Sequence, residues 1–245
     1  MDRAIYDRMA EIDGVHWWFS ARRKIIDRLI RDQVPLKAGA QILEMGCGTG
    51  SNIALLQQFG HVDAVEPDDP ARELASRRTG VAVKGGLLPD GVDLADGRYD
   101  LVAMLDVLEH IPDDLEALKA LRPKLAAGGR IVVTVPAGPG LWSAHDVAHH
   151  HHRRYTAKTL AQVFTAAGFR VRHITHFNTA LYPLIVAARA VGKMLKREGG
   201  DDAIPPRPVN AVLERLFAAE RHWVGRRSLP FGVSLAIVAE PGTTR

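Results

Sequence analysis

The run Ile42-Leu43-Glu44-Met45-Gly46-Cys47-Gly48-Thr49-Gly50-Ser51-Asn52 decides the fold of this chain. It reads as a short apolar strand that ends in an acid, followed by a glycine-rich turn and the first residues of a helix. Glycine tolerates a positive φ and lets the backbone approach a ligand that a Cβ would obstruct. The following helix directs unpaired N–H groups and the positive end of its dipole toward the same point. The stretch therefore predicts the first strand–helix unit of a nucleotide-type cofactor site.

Two acids near this turn indicate which cofactor it binds. Glu44 lies two residues before the first glycine, and Ser51 stands where a dinucleotide fingerprint has glycine or alanine. A carboxylate in that place would repel a pyrophosphate but would favour a cationic sulfonium and its ammonium group. Glu66 ends the next predicted strand, where its carboxylate can accept hydrogen bonds from two ribose hydroxyls. The pattern favours S-adenosylmethionine (SAM), with a nicotinamide dinucleotide as the alternative.

These motifs, together with the run Tyr99–Ile111, make the chain similar to the class I SAM-dependent methyltransferases. The resemblance covers about residues 15–176 and the last strand, and it extends to the group that includes the quinone-biosynthesis O-methyltransferases. It implies a Rossmann-like α/β fold in which a seven-stranded, mostly parallel sheet has helices on both faces. The last strand is expected to be antiparallel and to follow a helical insertion.

The resemblance assigns the glycine turn to the methionine and ribose parts of SAM, and residues after later strands to its adenine and methyl ends. Many relatives carry an acid for the adenine amino group where this chain has Gly85-Gly86, so a backbone group would have to replace it. We expect the acceptor to contact Trp18, Trp142 and Tyr155. The cofactor residues that the motifs and the resemblance indicate are Arg22, Glu44, Gly46, Cys47, Gly48, Gly50, Glu66, Pro67, Gly86, Leu87, Leu105 and Asp106.

A histidine-rich segment, Leu141–Thr156, follows the fifth predicted strand and holds five of the 11 histidines. Because acceptors bind on the carboxyl side of such a sheet, one interpretation is a catalytic loop. A histidine with a pKa of about 6.5 can take a hydroxyl proton, and His145 beside Asp146 is the best pair of a base and an orienting acid. The alternative is a loop ordered by hydrogen bonds and anchored by the basic residues that follow it.

A metal site in this segment is a third interpretation, since imidazole is a common metal ligand. Consecutive side chains of a loop diverge, however, and no second cluster of acids and histidines stands at ligand spacing. We therefore predict no metal ion. His110, which follows Glu109 after the fourth predicted strand, is interpreted as a structural residue at a helix start.

Alternating strand and helix patterns predict a single domain over residues 1–245. A helical cap is expected over residues 1–38, and a helical insertion that covers the active site as a lid over 178–231. Inside this insertion, residues 198–202 and 205–208 have the composition of a mobile linker. The predicted strands are 42–45, 62–66, 81–84, 99–105, 130–135, 169–177 and 232–239, and the principal helices between them are 70–78, 113–126 and 156–167.

The net charge is +4, and residues 170–230 hold eleven basic against five acidic side chains. Arg189, Lys193, Lys196 and Arg197 share one face of a helix predicted at 179–197, opposite an apolar face. A packed lid with a solvated basic face is the preferred interpretation. A peripheral contact of residues 179–227 with an anionic membrane is the alternative.

The chain has one cysteine, Cys47, which excludes an internal disulfide and is compatible with a reducing cytosol. The first residues lack the pattern of a signal peptide, and no run of about 18 apolar residues exists. We expect a cytoplasmic protein without a transmembrane helix, with association at the inner membrane surface as the alternative.

We therefore predict an enzyme that moves the methyl group of SAM to a small or lipid-like acceptor, preferably at oxygen. Methyl transfer to nitrogen or carbon and a non-catalytic SAM-binding regulator are the alternatives. Nucleic acid is disfavoured as a substrate, because the basic residues are concentrated in the insertion and no Asn-Pro-Pro-aromatic motif follows the fourth predicted strand. The sequence leaves the oligomeric state open.

Overall fold

The computed structural model describes residues 3–187 and 203–242, and its centre is a six-stranded sheet in the order β2-β1-β3-β4-β6-β5. β1 to β4 run parallel, whereas β6 is antiparallel to both of its neighbours. The Rossmann-like class and the antiparallel last strand are as predicted. The strands are β1 (Ala40–Met45), β2 (Gly60–Val65), β3 (Tyr99–Leu105), β4 (Leu125–Pro136), β5 (Phe169–Phe177) and β6 (Ser234–Pro241).

Helices cover both faces of the sheet, and three of them begin at an acidic or hydroxyl capping residue. Asp68, Asp113 and Thr156 each accept a hydrogen bond from a backbone N–H three residues later, which satisfies a donor that has no partner within its helix. The described helices are α1 (Arg3–Ile12), α2 (Trp17–Gln33), α3 (Ile53–Leu56), α4 (Asp69–Thr79), α5 (Asp114–Leu121), α6 (Ala144–Ala148), α7 (Ala157–Ala166), α8 (182–187) and α9 (Arg207–Ala218).

The third predicted strand, over residues 81–84, is wrong: no strand forms there in the described part of the chain, and the sheet has six strands and not seven. Only one bridge joins this segment to the sheet, between Val65 and Lys84. The Lys84 N–H donates to the Ala64 carbonyl, and the Lys84 carbonyl accepts from the Glu66 N–H. The segment lies between Gly80, which has a φ of +74°, and the Gly85-Gly86 pair, so it is too short to continue the ladder at this edge.

Three other boundaries differ from the predictions. The cap over residues 1–38 is two helices, because the chain turns at 13–16 and His16 Nδ1 accepts from the Trp18 N–H to begin α2. The helix predicted at 113–126 ends at Leu121, since residues from Leu125 onward already belong to β4. The predicted linker at 205–208 lies where α9 begins at Arg207.

Alternate residues of the strands bury their side chains in two cores, one on each face of the sheet. In β3, Leu101 and Ala103 pack with α2 and α9, whereas Val102 and Met104 pack with α5 and α7. These strands are apolar on both faces because helices exclude water from both. The cores leave the carboxyl ends of β1 to β4 open at one edge, which is where the candidate site lies.

The insertion before β6 is fastened to α2. The Trp17 N–H donates to Asn210 Oδ1 at 3.0 Å, and Glu214 accepts from both Ser20 Oγ and Lys24 Nζ. The four basic residues predicted on the helix 179–197 (Arg189, Lys193, Lys196 and Arg197) lie outside the described residues, so the membrane contact stays a prediction. In the described part of the chain, no helix combines the length and the apolar character needed to cross a bilayer.

Candidate active site

A cavity of about 1290 Å³ lies at the carboxyl ends of the parallel strands. Its walls come from α1, α2, the glycine turn after β1, the ends of β3 and β4, and the histidine-rich segment. This volume exceeds that of a typical pocket for one drug-sized ligand, so the cavity has room for two small molecules side by side. Seventeen residues named from the sequence can therefore be located relative to one common space. Those on the wall are Trp18, Arg22, Gly46, Cys47, Gly48, Glu66, Pro67, Gly86, Leu87, Leu105, Asp106, Trp142 and His145; those not on it are Glu44, Gly50, Tyr155 and Asp146.

The glycine turn places bare backbone on the cavity wall. Gly46 and Gly48 have φ values of +69° and +54°, in the left-handed region that glycine adopts without strain. A Cβ at Gly46 would lie 2.7 Å from a methyl group of Val107, whereas no described atom lies within 4 Å of a Cβ built at Gly48. Gly48 therefore borders open space on the cavity side.

Glu66 is held at the cavity wall by three hydrogen bonds. Its Oε2 accepts from the Gly48 N–H at 2.8 Å, and its Oε1 accepts from the Asp68 N–H at 3.1 Å and from the Tyr6 hydroxyl at 3.0 Å. Burial raises the pKa of Tyr6, and the Glu66 charge raises it further, so this hydroxyl stays protonated and remains a donor. Tyr6 was missed in the sequence because α1 carries no motif; only its contact with Glu66 identifies it.

Glu44 lies beneath the turn and does not line the cavity, so its contact with the cofactor stays a prediction. Its Oε1 accepts from Asn52 Nδ2 at 3.3 Å, and its Oε2 is buried without a partner among the described residues. Burial raises the pKa of Glu44 to about 8, with Arg22 opposing and Glu66 adding to the shift. Gly50 is also behind the wall, where its bare Cα lets the turn pack on Ala75 of α4.

Replacing Glu44 with glutamine is expected to make the stability of the ligand-free protein less dependent on pH. The folded pKa of Glu44 lies above its ordinary value of 4.5, so its contribution is fully present below pH 4.5 and is lost as the pH rises to about 8. The loss is on the order of 5 kcal/mol, at 1.36 kcal/mol for each pKa unit between 4.5 and about 8. Urea unfolding at pH 5, 6.5 and 8 measures the free energy of unfolding of both proteins. The value for Glu44→Gln should rise relative to that of the wild type at each step. A difference that does not change with pH would contradict the raised pKa of Glu44.

Arg22 reaches the wall from α2 and is paired there with Asp106. Its guanidinium donates to Asp106 Oδ2 at 2.7 Å and to Thr134 Oγ at 2.9 Å, while its buried Nε has no partner among the described residues. Asp106 has a φ of +61°, which is strained for a residue with a side chain. The pair thus joins α2 to the ends of β3 and β4 at the floor of the cavity.

Aromatic rings form the part of the wall nearest α2. Trp18 lies under the Arg22 guanidinium, 5.2 Å from its centre, and packs edge to face with Phe19. Trp142 also lines the cavity, from the segment after β4. Tyr155, expected beside the acceptor, is instead buried, and its hydroxyl donates to Asp114 Oδ2 at 2.7 Å. This bond anchors the end of the histidine-rich segment to α5.

The predicted pair of His145 and Asp146 is replaced by a pair of His151 and Asp146. Asp146 Oδ1 lies 2.9 Å from His151 Nδ1 and 2.7 Å from Arg154 Nε, and Oδ2 accepts from the Ser143 N–H. His145 and Asp146 are consecutive in α6, so their side chains diverge by about 100°. Asp146 is fully buried and behind the wall; it orients His151, and these bonds together with Arg154 hold its pKa well below the ordinary range despite burial.

Four histidine rings crowd together in this part of the site. His145 stacks on His149 with ring centres 4.0 Å apart, and His110 packs edge to face against His151 at 4.7 Å. Burial and the neighbouring rings lower the pKa of both His110 and His149 to about 3, so both rings are neutral at physiological pH. His110, predicted to be structural, lines the cavity together with Glu109.

Glu109 is the functional candidate that sequence reasoning missed. It is 1% exposed, and burial together with the charge of Asp106 raises its pKa well above the ordinary value. The signal in the sequence was the adjacency of Glu109 and His110 after a strand, but their convergence with His151 depends on a distant segment. The His152 N–H donates to the Glu109 carbonyl at 2.8 Å and brings the two segments together.

Comparisons with known proteins agree with this architecture. The family model for a methyltransferase domain matches residues 17–174. Trans-aconitate 2-methyltransferase from Deinococcus radiodurans is 30% identical over 165 residues, which cover 66% of this chain and 58% of the relative. A ubiquinone biosynthesis O-methyltransferase from Xylella fastidiosa is 32% identical over 114 residues, or 43% of this chain and 45% of the relative. The matched region thus spans about half the length of these relatives.

Among solved structures, phosphoethanolamine N-methyltransferase 2 from Haemonchus contortus, in complex with S-adenosyl-L-methionine, superposes with a TM-score of 0.59. The identity is 14%, over 89% of this chain and 52% of that one. At this identity the likeness shows the fold alone.

Proposed function

Because the chain belongs to the methyltransferase-domain family of SAM-dependent proteins, we propose that it transfers the methyl group of SAM to an oxygen of a small or lipid-like acceptor. The single observation that carries the proposal is the shared cavity, whose wall has the glycine turn and Glu66 at one end and the histidine-rich segment at the other. Cofactor and acceptor can meet in such a space without water between them.

The residues at the first end fit SAM. The bare backbone at Gly48 leaves the space that a Cβ would fill, and Glu66 presents a carboxylate to ribose hydroxyls beside it. The partnerless Nε of Arg22 suits the carboxylate of the amino acid part. Glu44 lies beneath the turn, where a cationic ligand would favour its ionised form and offset the cost of burying that charge. Pro67, Gly86 and Leu87 border the part of the wall proposed for adenine.

The second end suits an apolar acceptor with a polar reacting group. Trp17, Trp18 and Phe19 contribute aromatic surface, and Ile111 and Ile185 add aliphatic surface. Rings of this kind exclude water and hold a flat or lipid-like molecule by contact area. The names of the relatives point to two different kinds of small molecule, the tricarboxylate trans-aconitate and an intermediate of ubiquinone biosynthesis. The aromatic wall favours the second, more apolar kind, and we propose that kind here.

His145 is the proposed general base at this end. It lines the cavity, and a neutral imidazole can take the proton of an acceptor hydroxyl. When bound, SAM supplies an activated methyl group, so that a bond from the acceptor oxygen to carbon forms as the bond from sulfur to carbon breaks. The proton of the hydroxyl passes to His145, and the surrounding aromatic wall keeps water from competing. Positioning of the two reactants supplies most of the rate.

The proposal predicts repeated turnover that depends on His145. Incubation with SAM and a panel of phenols, carboxylic acids and amines should give S-adenosylhomocysteine well beyond one equivalent with an oxygen acceptor. His145→Ala is expected to lower kcat by about 100-fold and to leave the Kd for SAM unchanged. His152→Ala, which removes an exposed ring from the same segment, is the matched control and should turn over normally.

The alternatives give different outcomes in the same assay. Turnover only with amines, or formation of a carbon–methyl bond, would replace oxygen as the acceptor atom. Binding of SAM with no more than one equivalent of S-adenosylhomocysteine across the panel and a metabolite extract would favour a regulatory SAM-binding protein. A normal kcat for His145→Ala would return the histidine segment to a purely structural role.

A further inference from the structure

A carboxylate and two imidazoles from separate segments converge on the cavity wall. Among the residues that the structure describes, Glu109, His110 and His151 each offer one ligand atom, and these atoms lie within 4.8 Å of one another. Glu109 and His110 follow β3, whereas His151 belongs to the loop after α6. The sequence argument against a metal site relied on the divergence of consecutive histidines and on the lack of a second cluster of acids and histidines. Glu109 and His110 provide such a second cluster, which meets His151 only in three dimensions.

The Glu109 carboxylate lacks the partners that a buried acid requires. Neither of its oxygens has a hydrogen-bond partner within residues 3–187 and 203–242, and the side chain is shielded from solvent. An uncompensated buried carboxylate is costly in free energy, because it loses its hydration without gaining a donor. A cation placed between this carboxylate and the neighbouring imidazoles would offset that cost.

His151 is oriented as metal-binding histidines are. Its Nδ1 lies 2.9 Å from Asp146 Oδ1, and Arg154 contacts the same oxygen, which leaves Nε2 of the ring as the ligand atom. A histidine that bonds a carboxylate through one nitrogen and a metal through the other is a recurrent arrangement, because the carboxylate fixes the tautomer and makes the ring a better ligand. The contact between Asp146 and His151 therefore suits His151 to be a metal ligand.

We propose that Glu109, His110 and His151 bind a divalent transition-metal ion, for which Zn²⁺ is the best fit. Two imidazoles and one carboxylate form a ligand set of catalytic zinc sites, whereas Mg²⁺ prefers oxygen ligands and more of them. Ligand atoms of a tetrahedral zinc site lie roughly 3.4 Å apart, so side-chain rotation must bring the most distant pair closer by up to about 1.4 Å.

The ion would leave one coordination position for a ligand from the cavity. An acceptor of the phenol or enol class could bind there through oxygen, and the ion would lower the pKa of that hydroxyl. This role rests on the proposed function, but metal binding itself does not. His145, whose ring centre lies 6.1 Å from that of His151, would then receive the released proton.

The test is a titration of the chelator-treated full chain with Zn²⁺, in competition with a chromophoric chelator. The wild type should bind one equivalent, with no competition from Mg²⁺ at a large excess. Glu109→Gln and His151→Ala are each expected to weaken binding by about 100-fold or more. His152→Ala is the matched control, since exposed histidines of such a tract can bind Zn²⁺ nonspecifically, and it should match the wild type.

Three results would overturn the proposal: a wild type that binds no equivalent of Zn²⁺, Glu109→Gln and His151→Ala proteins that bind as the wild type does, or an equal loss in His152→Ala. A SAM titration of the same samples shows whether each variant is folded, and Glu109→Gln preserves the shape of the side chain. Normal SAM binding and turnover without Zn²⁺ affinity would refute the metal site and leave the proposed function intact. Zn²⁺ affinity without turnover would support the metal site and contradict the proposed function.

Discussion

Gly48→Val is expected to abolish SAM binding while the protein remains folded. The affinity should fall by at least about 100-fold, which corresponds to roughly 2.7 kcal/mol. The reason is that Gly48 lies on the wall with a φ of +54°, and a side chain there would enter the open space in which we propose that SAM binds. Calorimetric titration with SAM measures the loss, and the thermal unfolding midpoint reports the fold.

A matched control separates ligand contact from backbone strain. Gly80 ends α4 with a φ of +74°, and a Cβ built on it also meets nothing within 4 Å in the described chain, but Gly80 is not on the cavity wall. Gly48→Val and Gly80→Val should therefore lose similar stability, about 1–3 kcal/mol for a side chain in this conformation. Equal SAM affinities for the two variants would exclude the turn as the cofactor site.

Arg22→Ala is expected to lose both stability and SAM binding. Removing the guanidinium leaves Asp106 without its cation and Thr134 without a donor in a largely buried setting. We expect a loss of about 3 kcal/mol, at the lower end for a broken buried pair because Asp106 is partly exposed. For a chain of this size the unfolding midpoint should fall by roughly 10 °C. Lys24 lies on the same helix as Arg22 and forms a more exposed ion pair with Glu214 of α9. Lys24→Ala should therefore reduce the free energy of unfolding far less.

A double variant distinguishes the two effects of Arg22. Combining Arg22→Met with Asp106→Asn removes both charges, so no buried charge is left unpaired and much of the stability should return. SAM binding should stay weak, because no cation then faces the carboxylate of the ligand. If SAM affinity recovers together with stability, Arg22 is a structural residue and its assignment to the cofactor is wrong.

The parts of the fold that local pattern determines could be read from the sequence. The strand before the glycine turn, the acid at Glu66, the helix capped by Thr156 and the strand 169–177 all agree with the structure, because each depends on neighbours in the chain. The missing strand at 81–84 had the same apolar pattern. No strand forms there because the segment has a neighbouring strand on one side only and has four residues between glycines. It can therefore make too few backbone hydrogen bonds to the sheet.

The arrangement of the histidine segment could not be read in the same way. His150 has a φ of +56°, an unusual value for a residue with a side chain, and it turns the chain so that His151 points back at Asp146. Nothing in the sequence indicates that reversal, since histidine is also common in ordinary conformations. The position of Glu109 under this loop is likewise set by long-range contacts, so the convergence with His151 appears only in three dimensions.

The attachment of α2 to the insertion has a consequence for biosynthesis. The residues of α2 are synthesised nearly two hundred residues before its partners Asn210 and Glu214. Until then Ile26 and Leu29 lack part of their final cover, which includes Phe217 of α9. Contacts of such long sequence separation form slowly, because a large loop must close before they are gained. The nascent chain thus exposes part of the apolar face of α2 through most of its synthesis, until α9 emerges.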